Sequence, residues 1–270
     1  MRRKDRSAAR EFLAEGRQAT AEALADGAAR LLLVAPDAVG QHQDLLAVAY
    51  EAGVPAVTVE ATAFAQLCGT VTPQGILAVC RMVDRSLTDA LGPAARLVVF
   101  CDRIRDPGNL GTVIRCADAF GADAVLVSAD SVDLYNPKAV RASTGSIFHL
   151  PIAVGIEVSE AITLARAGGL AVLGADAAAP DTVDDLARTG ALAAPTLWVL
   201  GNEAWGLGAD HAGLPDRLVA LPMYGRAESL NLATAAAVLL YASATAQRSA
   251  DLSDSVVARA TTESDNSAAG

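Results

Sequence analysis

The sequence contains few of the residues that build metal centres, disulfides or aromatic-rich cores. Its 270 residues include 4 cysteines and 3 histidines, and aromatic side chains make up only 4%. The cysteines (Cys68, Cys80, Cys101 and Cys116) stand in apolar segments without a C-x-x-C pair, so we expect buried thiols in a reducing cytoplasm and no metal site. The histidines form no H-E-x-x-H pattern. We therefore predict chemistry that uses neither a metal ion nor a histidine.

Long apolar runs are also missing. No uninterrupted apolar stretch reaches the roughly 18 residues that a membrane-spanning helix needs, so we expect no membrane segment. The start, MRRKDRSAAREFLAEG, is basic but lacks the apolar run of a secretory signal. Hydrophobic residues nevertheless make up 52% of the chain, which is typical of a tightly packed globular protein.

The charge is strongly acidic. A net charge of −10 argues against a nucleic-acid partner, because such partners favour basic surfaces. The basic residues are concentrated at the start, where residues 1–17 carry six basic and three acidic side chains. The last segment, 249–270, is polar and acidic and is predicted to be a disordered tail. Any nucleic-acid surface must therefore be local.

Apolar strand-like runs alternate with helical patterns, which indicates an α/β architecture with a mostly parallel sheet. We predict a small α/β domain over 1–82, a linker over 83–95 and a larger domain over 96–248. The chain is expected to begin with a helix at about 8–26. The alanine-rich helix 230–248 is predicted to be either a buried core helix or a dimer interface.

Three polar, glycine-containing stretches follow predicted strands: PGNLGTVIR (107–115), GNEAWGLG (201–208) and YGRAESLNLA (224–233). Open α/β sheets bind ligands at the carboxyl ends of their strands. One such loop alone is more often a plain turn, since glycine and asparagine are ordinary turn residues. Three at one sheet edge favour a functional site.

The first of these stretches is not a dinucleotide-binding loop. Gly108 and Gly111 stand three residues apart, whereas G-x-G-x-x-G needs its first two glycines one residue apart. We predict that Asn109 caps a helix over 109–120 and that Ser229 caps the alanine-rich helix. Arg115 then either snorkels from a mostly buried helix into an ion pair or is held at a site.

Together the three stretches resemble the three sequence motifs of the SpoU (TrmH-like) branch of the SPOUT RNA methyltransferases. N-x-G-x-x-x-R corresponds to Asn109, Gly111 and Arg115; G-N-E-x-x-G to Gly201, Asn202, Glu203 and Gly206; and S-L-N-x-x-x-A to Ser229, Leu230, Asn231 and Ala235. EFLAEG (11–16) and TPQGILAV (72–79) resemble the small L30e-like RNA-binding domain of that family, and YNPKAVRASTGSIFHLP (135–151) resembles the stretch between its first two motifs.

This resemblance implies a fold and a cofactor. The fold is a SPOUT-type, mostly parallel sheet whose C-terminal stretch is threaded into a trefoil knot, preceded by the small L30e-like domain. S-adenosylmethionine is expected to bind in the knot at Leu200, Gly201, Asn202, Leu221, Met223, Ser229 and Leu230. A homodimer through helix 230–248 and the knot region is expected as well.

The implied reaction is methyl transfer to a ribose 2′-hydroxyl of RNA. The resemblance assigns catalytic roles to Asn109, Arg115, Glu203, Ser229 and Asn231. The family assigns Arg115 the role of base, but a guanidinium stays protonated, so positioning of the hydroxyl is an equal alternative. The L30e-like domain resembles that of rRNA-modifying members, which favours 23S ribosomal RNA over transfer RNA.

RNA contacts are predicted at Arg10, Arg17, Lys138 and Arg141, which would bind phosphates, and at Phe12, which would stack on a base. The alternative for residues 2–17 is a helical surface with one core phenylalanine. Two other classes of function remain open. A nicotinamide-dependent oxidoreductase is disfavoured by the missing G-x-G-x-x-G, and a non-catalytic RNA-binding or ribosome-assembly protein is disfavoured by the intact polar motifs.

Overall fold

The computed structural model describes residues 3–202 and 205–267, with the side chains of these residues up to Ser253. The strands are β1 (Glu11–Glu15), β2 (Ala29–Val34), β3 (Ala56–Thr58), β4 (Ile76–Arg81), β5 (Leu97–Cys101), β6 (Ala124–Ser128), β7 (Ile152–Ile156), β8 (Ala171–Ala175), β9 (Asp181–Thr182), β10 (Thr196–Leu200) and β11 (Arg217–Ala220). The helices are α1 (Arg3–Ala9), α2 (Arg17–Ala25), α3 (Gln43–Glu51), α4 (Ala61–Leu67), α5 (Leu87–Ala90), α6 (Pro107–Phe120), α7 (Pro137–Ser143), α8 (Val158–Ala167), α9 (Val183–Arg188), α10 (Gly208–His211) and α11 (Leu232–Ser267). Short 3₁₀ helices lie at Pro36–His42, Ser146–Phe148 and Ala191–Ala193.

The strands form two sheets. The N-terminal sheet has four strands in the order β1-β4-β2-β3 and is mixed. The larger sheet has seven strands in the order β7-β6-β5-β10-β8-β11-β9, and its pairings are parallel. The prediction of an α/β fold with a mostly parallel sheet is confirmed.

The central strands of the larger sheet are buried along their whole length. LVVFC in β5, AVLVS in β6 and TLWVL in β10 are buried at every position. Continuous apolar runs of this kind suit a parallel sheet covered by helices on both faces. Because the strands are parallel, the loops after β5, β8, β10 and β11 all leave at the same edge.

The helix predicted at 8–26 is wrong. The segment contains the end of α1, then β1 and α2, separated by Arg10 (φ 55°) and Gly16 (φ 96°), both in the left-handed region. Within β1, burial alternates so that Phe12 and Ala14 point into the core. Glutamate, leucine and alanine favour helices, and this preference hid the two-residue alternation of a strand.

The C-terminal helix is longer than the predicted span of 230–248. α11 runs from Leu232 to Ser267. The helix is anchored in the core, where the Trp198 indole N–H donates to the Ser243 hydroxyl at 2.9 Å between two fully buried side chains. Arg96 pairs with Asp251 at 2.6 Å. Adding residues to a formed helix costs less free energy than starting a new helix. The acidic composition of the segment 249–270 does not reveal that a helix already precedes it.

The two domains share a hydrophobic core. Phe12 of β1 is fully buried, and its ring lies 4.7 Å from Tyr135 and 5.9 Å from Phe148, both in the larger domain. The Tyr135 hydroxyl donates to the Asp84 carboxylate at 2.5 Å and accepts the N–H groups of Val83 and Asp84 at 2.8 Å. The predicted stacking of Phe12 on an RNA base is therefore wrong, because the ring is enclosed by protein.

Polar contacts surround this shared core. Arg141 pairs with Glu15 across the domain boundary at 3.4 Å. His149 contacts Asp118 at 2.8 Å and Glu22 of the N-terminal domain at 3.0 Å. Burial disfavours the protonated ring, but the hydrogen bonds with Asp118 and Glu22 outweigh it and raise the pKa of His149 above its ordinary value.

Replacing Phe12 tests the hydrophobic core that the two domains share. We expect Phe12→Ala to lower the free energy of unfolding by about 3–5 kcal/mol, because it removes a buried ring that both domains contact. Urea denaturation followed by circular dichroism measures the loss. Limited proteolysis should also cut the segment 83–95, predicted to be the linker, faster in this variant than in Phe64→Ala, whose buried ring lies within the N-terminal domain. Equal cleavage of both variants would contradict the assignment.

Candidate active site

A cavity of about 350 Å³ lies at the carboxyl edge of the larger sheet. Its walls come from the loops after β8, β10 and β11 and from the first turns of α11. The volume falls within the range of roughly 300–1,000 Å³ usual for small-molecule sites. All the residues expected to contact a cofactor line it: Leu200, Gly201, Asn202, Leu221, Met223, Ser229 and Leu230.

Sequence reasoning missed part of the cavity wall, namely Ala175, Asp176 and Ala177. Trp205, Gly206 and Glu228 also line the cavity; they lie within the predicted functional stretches but were not assigned to the cofactor. The stretch DAAAP (176–180) between β8 and β9 has the composition of a plain loop. Only the strand order, which places β8 between β10 and β11, reveals that this loop borders the site.

The loop between β10 and α10 folds tightly onto itself. The Asn202 N–H donates to the Gly206 carbonyl at 2.8 Å, and the Gly206 N–H donates to the Asn202 carbonyl at 2.9 Å. A Cβ on Gly201 would lie 2.2 Å from the Gly206 carbonyl carbon, far inside van der Waals contact. Gly201 therefore allows the backbone of Gly206 to approach closely, rather than a ligand. This turn shapes the cavity wall.

The helix that carries the first motif begins earlier than expected. α6 starts at Pro107, and Asp106 is its N-cap, with its carboxylate accepting the Asn109 N–H at 2.9 Å. Lys138 donates to the same carboxylate at 2.6 Å. The hydrogen bond from Lys138, followed by that of the Asn109 N–H, holds the pKa of Asp106 below its ordinary value. The prediction that Asn109 caps this helix is wrong, and its side chain points elsewhere.

A pair of amides joins the first and third motifs. The Asn231 side-chain N–H donates to the Asn109 side-chain oxygen at 3.0 Å. The Asn231 oxygen accepts the N–H groups of Ala233 at 2.9 Å and Thr234 at 3.4 Å, so Asn231, and not Ser229 as predicted, caps α11. An amide is suited to this position because it supplies both a donor and an acceptor.

The Arg115 side chain is exposed on α6 and forms no ion pair or hydrogen bond with any residue that the structure describes. The expected alternative of an ion-paired arginine is therefore wrong for the described part of the chain. Arg115 does not line the cavity of its own chain. Ser229 is exposed on the cavity wall, and Glu203 lies outside the described residues.

A charge cluster around the buried Asp102 was not expected from the sequence. Asp102, which follows β5, is only 1% exposed and lies 2.7 Å from the His211 Nδ1 atom of α10. Arg103, at a left-handed φ of 53°, donates to Asp210 at 2.7 Å and lowers the pKa of that carboxyl. The Arg103 carbonyl also accepts the Asn202 side-chain N–H at 2.8 Å. This cluster ties the loop after β5 to the loop after β10, and the sequence separation of 109 between Asp102 and His211 hid it.

The predicted RNA-contacting cations are all paired. Arg10 lies 3.4 Å from Asp84, Arg17 lies 2.5 Å from Asp44, and Lys138 lies 2.6 Å from Asp106. Surface pairs of this kind contribute only about 0–1 kcal/mol, so a phosphate can replace the carboxylate. Arg141 differs, because its pairing with the mostly buried Glu15 gives it a role in the domain boundary.

In the part of the chain that the structure describes, no group of three or more histidine, cysteine or acidic side chains is arranged to hold a metal ion. None of the helices within it is long and apolar enough to cross a membrane.

Replacing Gly201 tests the cavity. We expect Gly201→Ala to reduce the affinity for S-adenosylmethionine at least about tenfold, because the new methyl group collides with backbone that cannot move aside. Isothermal titration calorimetry measures the binding. The matched control is Gly225→Ala in the loop after β11, where an added Cβ meets nothing within 4 Å. Similar affinities for the two variants would show that this turn does not shape the site.

Comparison with protein families matches both parts of the chain. Residues 96–241 match the SpoU rRNA Methylase family, and residues 1–78 match the MRM3-like substrate binding domain. The chain is 35% identical over 240 residues to the 23S rRNA (guanosine(2553)-2′-O)-methyltransferase RlmP of Bacillus subtilis, covering 88% of this chain and 90% of that protein.

Solved structures give the same result. The fold superposes on the SpoU methyltransferase AviRb from Streptomyces viridochromogenes in complex with the cofactor AdoMet, with a TM-score of 0.79 and 32% identity over 92% of this chain and 95% of that one. It also superposes on an AdoMet-bound rRNA methyltransferase from Sinorhizobium meliloti, with a TM-score of 0.76 and 31% identity over 90% of each chain. The chain therefore belongs to the SpoU rRNA methylase family.

Proposed function

We propose that this protein transfers a methyl group from S-adenosylmethionine to a ribose 2′-hydroxyl of RNA, and that its substrate is 23S ribosomal RNA. One observation carries the proposal. Every residue expected to contact the cofactor lines a single cavity, and the third motif that forms part of its wall is hydrogen-bonded through Asn231 to Asn109 of the first. The ribosomal substrate is supported by the names of the relatives, which act on rRNA.

The chemistry of the cavity fits S-adenosylmethionine. Leu200, Leu221 and Leu230 supply apolar surface for the adenine ring. Asp176 and Glu228 place two carboxylates in the wall, which suits a ligand with a cationic sulfonium and an ammonium group. When bound, this cofactor supplies an electrophilic methyl group. The chain's own residues have to hold and orient the RNA hydroxyl that attacks it.

Arg115 and Asn109 perform this orientation. Asn109 is fixed from one side by Asn231 and from the other by the capped turn at Asp106. Arg115 is exposed and unpaired within the described residues, so it is available to bind the hydroxyl and a neighbouring phosphate. A guanidinium stays protonated, so we assign it a positioning role, with the proton leaving to phosphate or water.

We also propose that the C-terminal segment forms a trefoil knot and that the protein works in the cytoplasm. The knot is supported by the return of β10 between β5 and β8, together with the packing of the loops after β10 and β11 around one cavity. The cytoplasmic location is supported by four free cysteine thiols, as expected in a reducing compartment.

The active form is proposed to be a homodimer through helix 230–248 and the knot region. One face of α11 packs into the core, while Val238 and Tyr241, three residues apart on the other face, are 41% and 59% exposed. Leu230, Met223 and Trp205 are exposed apolar residues at the cavity. A second subunit that buried these apolar residues would also contribute its own Arg115 to the dimer, and Arg115 does not line the cavity of its own chain.

The reaction is tested by transfer of a labelled methyl group from S-adenosylmethionine to unmodified 23S rRNA transcribed in vitro. We expect a 2′-O-methylated ribose, with kcat reduced about 10²-fold in Arg115→Ala because the hydroxyl is no longer aligned. Cofactor affinity should stay unchanged, and Arg188→Ala on α9, an exposed arginine outside the cavity wall, should behave like the wild type.

Three outcomes would contradict parts of this proposal. Methylation of a base would overturn the reaction, and methylation of tRNA but not of 23S rRNA would overturn the substrate. RNA binding without any transfer would favour the non-catalytic assembly protein.

The dimer is tested by sedimentation velocity. Tyr241→Glu is expected to convert the dimer to a monomer, because an unpaired carboxylate would be buried at the centre of the interface. Thr163→Glu, on the exposed side of α8, introduces the same charge elsewhere and should leave the dimer intact. A wild-type monomer, or a dimer that survives Tyr241→Glu, would exclude this interface.

A further inference from the structure

Most basic side chains of this acidic protein are neutralised by the protein itself. Within the described residues, those in ion pairs with aspartate or glutamate are Arg6, Arg10, Arg17, Arg81, Arg96, Arg103, Lys138, Arg141, Arg166, Arg188 and Arg217. Arg3, Arg30, Arg85, Arg115, Arg226 and Arg248 have no such ion pair among the described residues, so a missing partner is informative only where the arginine also lies beside the site.

Arg226 is such an arginine, and it lies beside the cavity. It is exposed in the loop between β11 and α11, and it has no ion pair or hydrogen bond with any residue in the described ranges. Met223 and Glu228, three residues before it and two after it, both line the cavity. Its backbone therefore passes the cavity mouth.

The loop that carries Arg226 is held at both ends. The Tyr224 hydroxyl donates to Asp184 at 2.7 Å, and Asn231 donates to Asn109 at 3.0 Å. The pKa of Tyr224 is raised by its hydrogen bond to Asp184. A cation placed between two fixed points has less conformational freedom to lose on binding than one on a loose loop.

We propose that Arg226 binds a backbone phosphate of the RNA next to the ribose that is methylated. The inference rests on the proposed function and adds a second cationic contact to that of Arg115. A guanidinium suits this role because its planar N–H groups match two phosphate oxygens, and it stays charged at all physiological pH values. It binds the strand equally in the ground state and in the transition state, so it affects KM and not kcat, and it takes no part in proton transfer.

The test compares Arg226→Gln with Arg188→Gln, which removes the same charge from α9 outside the cavity wall. One phosphate contact on a single strand contributes about 0.7 to the slope of log affinity against log salt, or about fivefold at 0.1 M salt. We expect Arg226→Gln to raise the KM for in vitro transcribed 23S rRNA by that factor and to reduce the salt slope by about 0.7. The kcat and the affinity for S-adenosylmethionine should remain those of the wild type.

A charge-conserving variant separates binding from folding. Arg226→Lys should restore the salt slope, because it keeps the charge, while recovering only part of the affinity, because lysine cannot make the two-pronged contact. A structural role for Arg226 would instead lower the melting temperature in both variants and leave the salt slope unchanged.

Direct RNA binding, measured by fluorescence anisotropy without turnover, distinguishes a wrong role for Arg226 from a wrong function for the protein. If the wild type binds 23S rRNA with a salt-dependent affinity and Arg226→Gln binds identically, only the role of Arg226 is wrong. If Arg226→Gln changes cofactor affinity but not RNA affinity, the residue belongs to the cofactor site and the inference is overturned. If the wild type binds and methylates no RNA, the proposed function fails and this inference fails with it.

Discussion

The site depends on the position of one late strand, β10, between two earlier strands, β5 and β8. Parallel pairing on both sides places the tight Gly201–Gly206 turn beside the loop that starts α6 and the loop that follows β8. Both neighbouring strands are needed. β5 leads to α6, which carries the first motif, and β8 leads to a loop that forms part of the cavity wall. Without this insertion, the three motifs would lie on separate parts of the sheet edge and no common cavity would form.

Side-chain amides turn this proximity into fixed geometry. Asn202 reaches the Arg103 carbonyl and Asn231 reaches Asn109, so each later motif is bonded to the segment around the first. Asp106 and Asn231 cap the two helices that meet at these bonds. The same polar residues therefore end the strands, start the helices and hold the cavity together, which explains why so few of them suffice in such an apolar chain.

Much of this arrangement was predictable from the sequence, and the failures have physical causes. The parallel sheet followed from continuous apolar runs, and the residues that the family resemblance proposes for the cofactor all line one cavity. Asp176 and the Asp102–His211 contact were missed because they depend on strand order, which local patterns do not encode. The helix caps were misplaced by two to three residues because Asn109 and Ser229 have neighbours that cap better. Phe12 was misassigned because five residues of β1 are too few to outweigh a helical composition.

The ring of Phe12 also limits how this protein can evolve. Its packing against Tyr135 and Phe148 means that the N-terminal domain is complementary to one particular surface of the larger domain. Recombination within the segment 83–95 would join a foreign N-terminal domain to the larger domain. The foreign domain would lack the side chain that buries the rings of Tyr135 and Phe148. New RNA targets are therefore expected to arise by substitutions on the exposed faces of a fixed two-domain body, and the lineage of this enzyme should show its two halves inherited together.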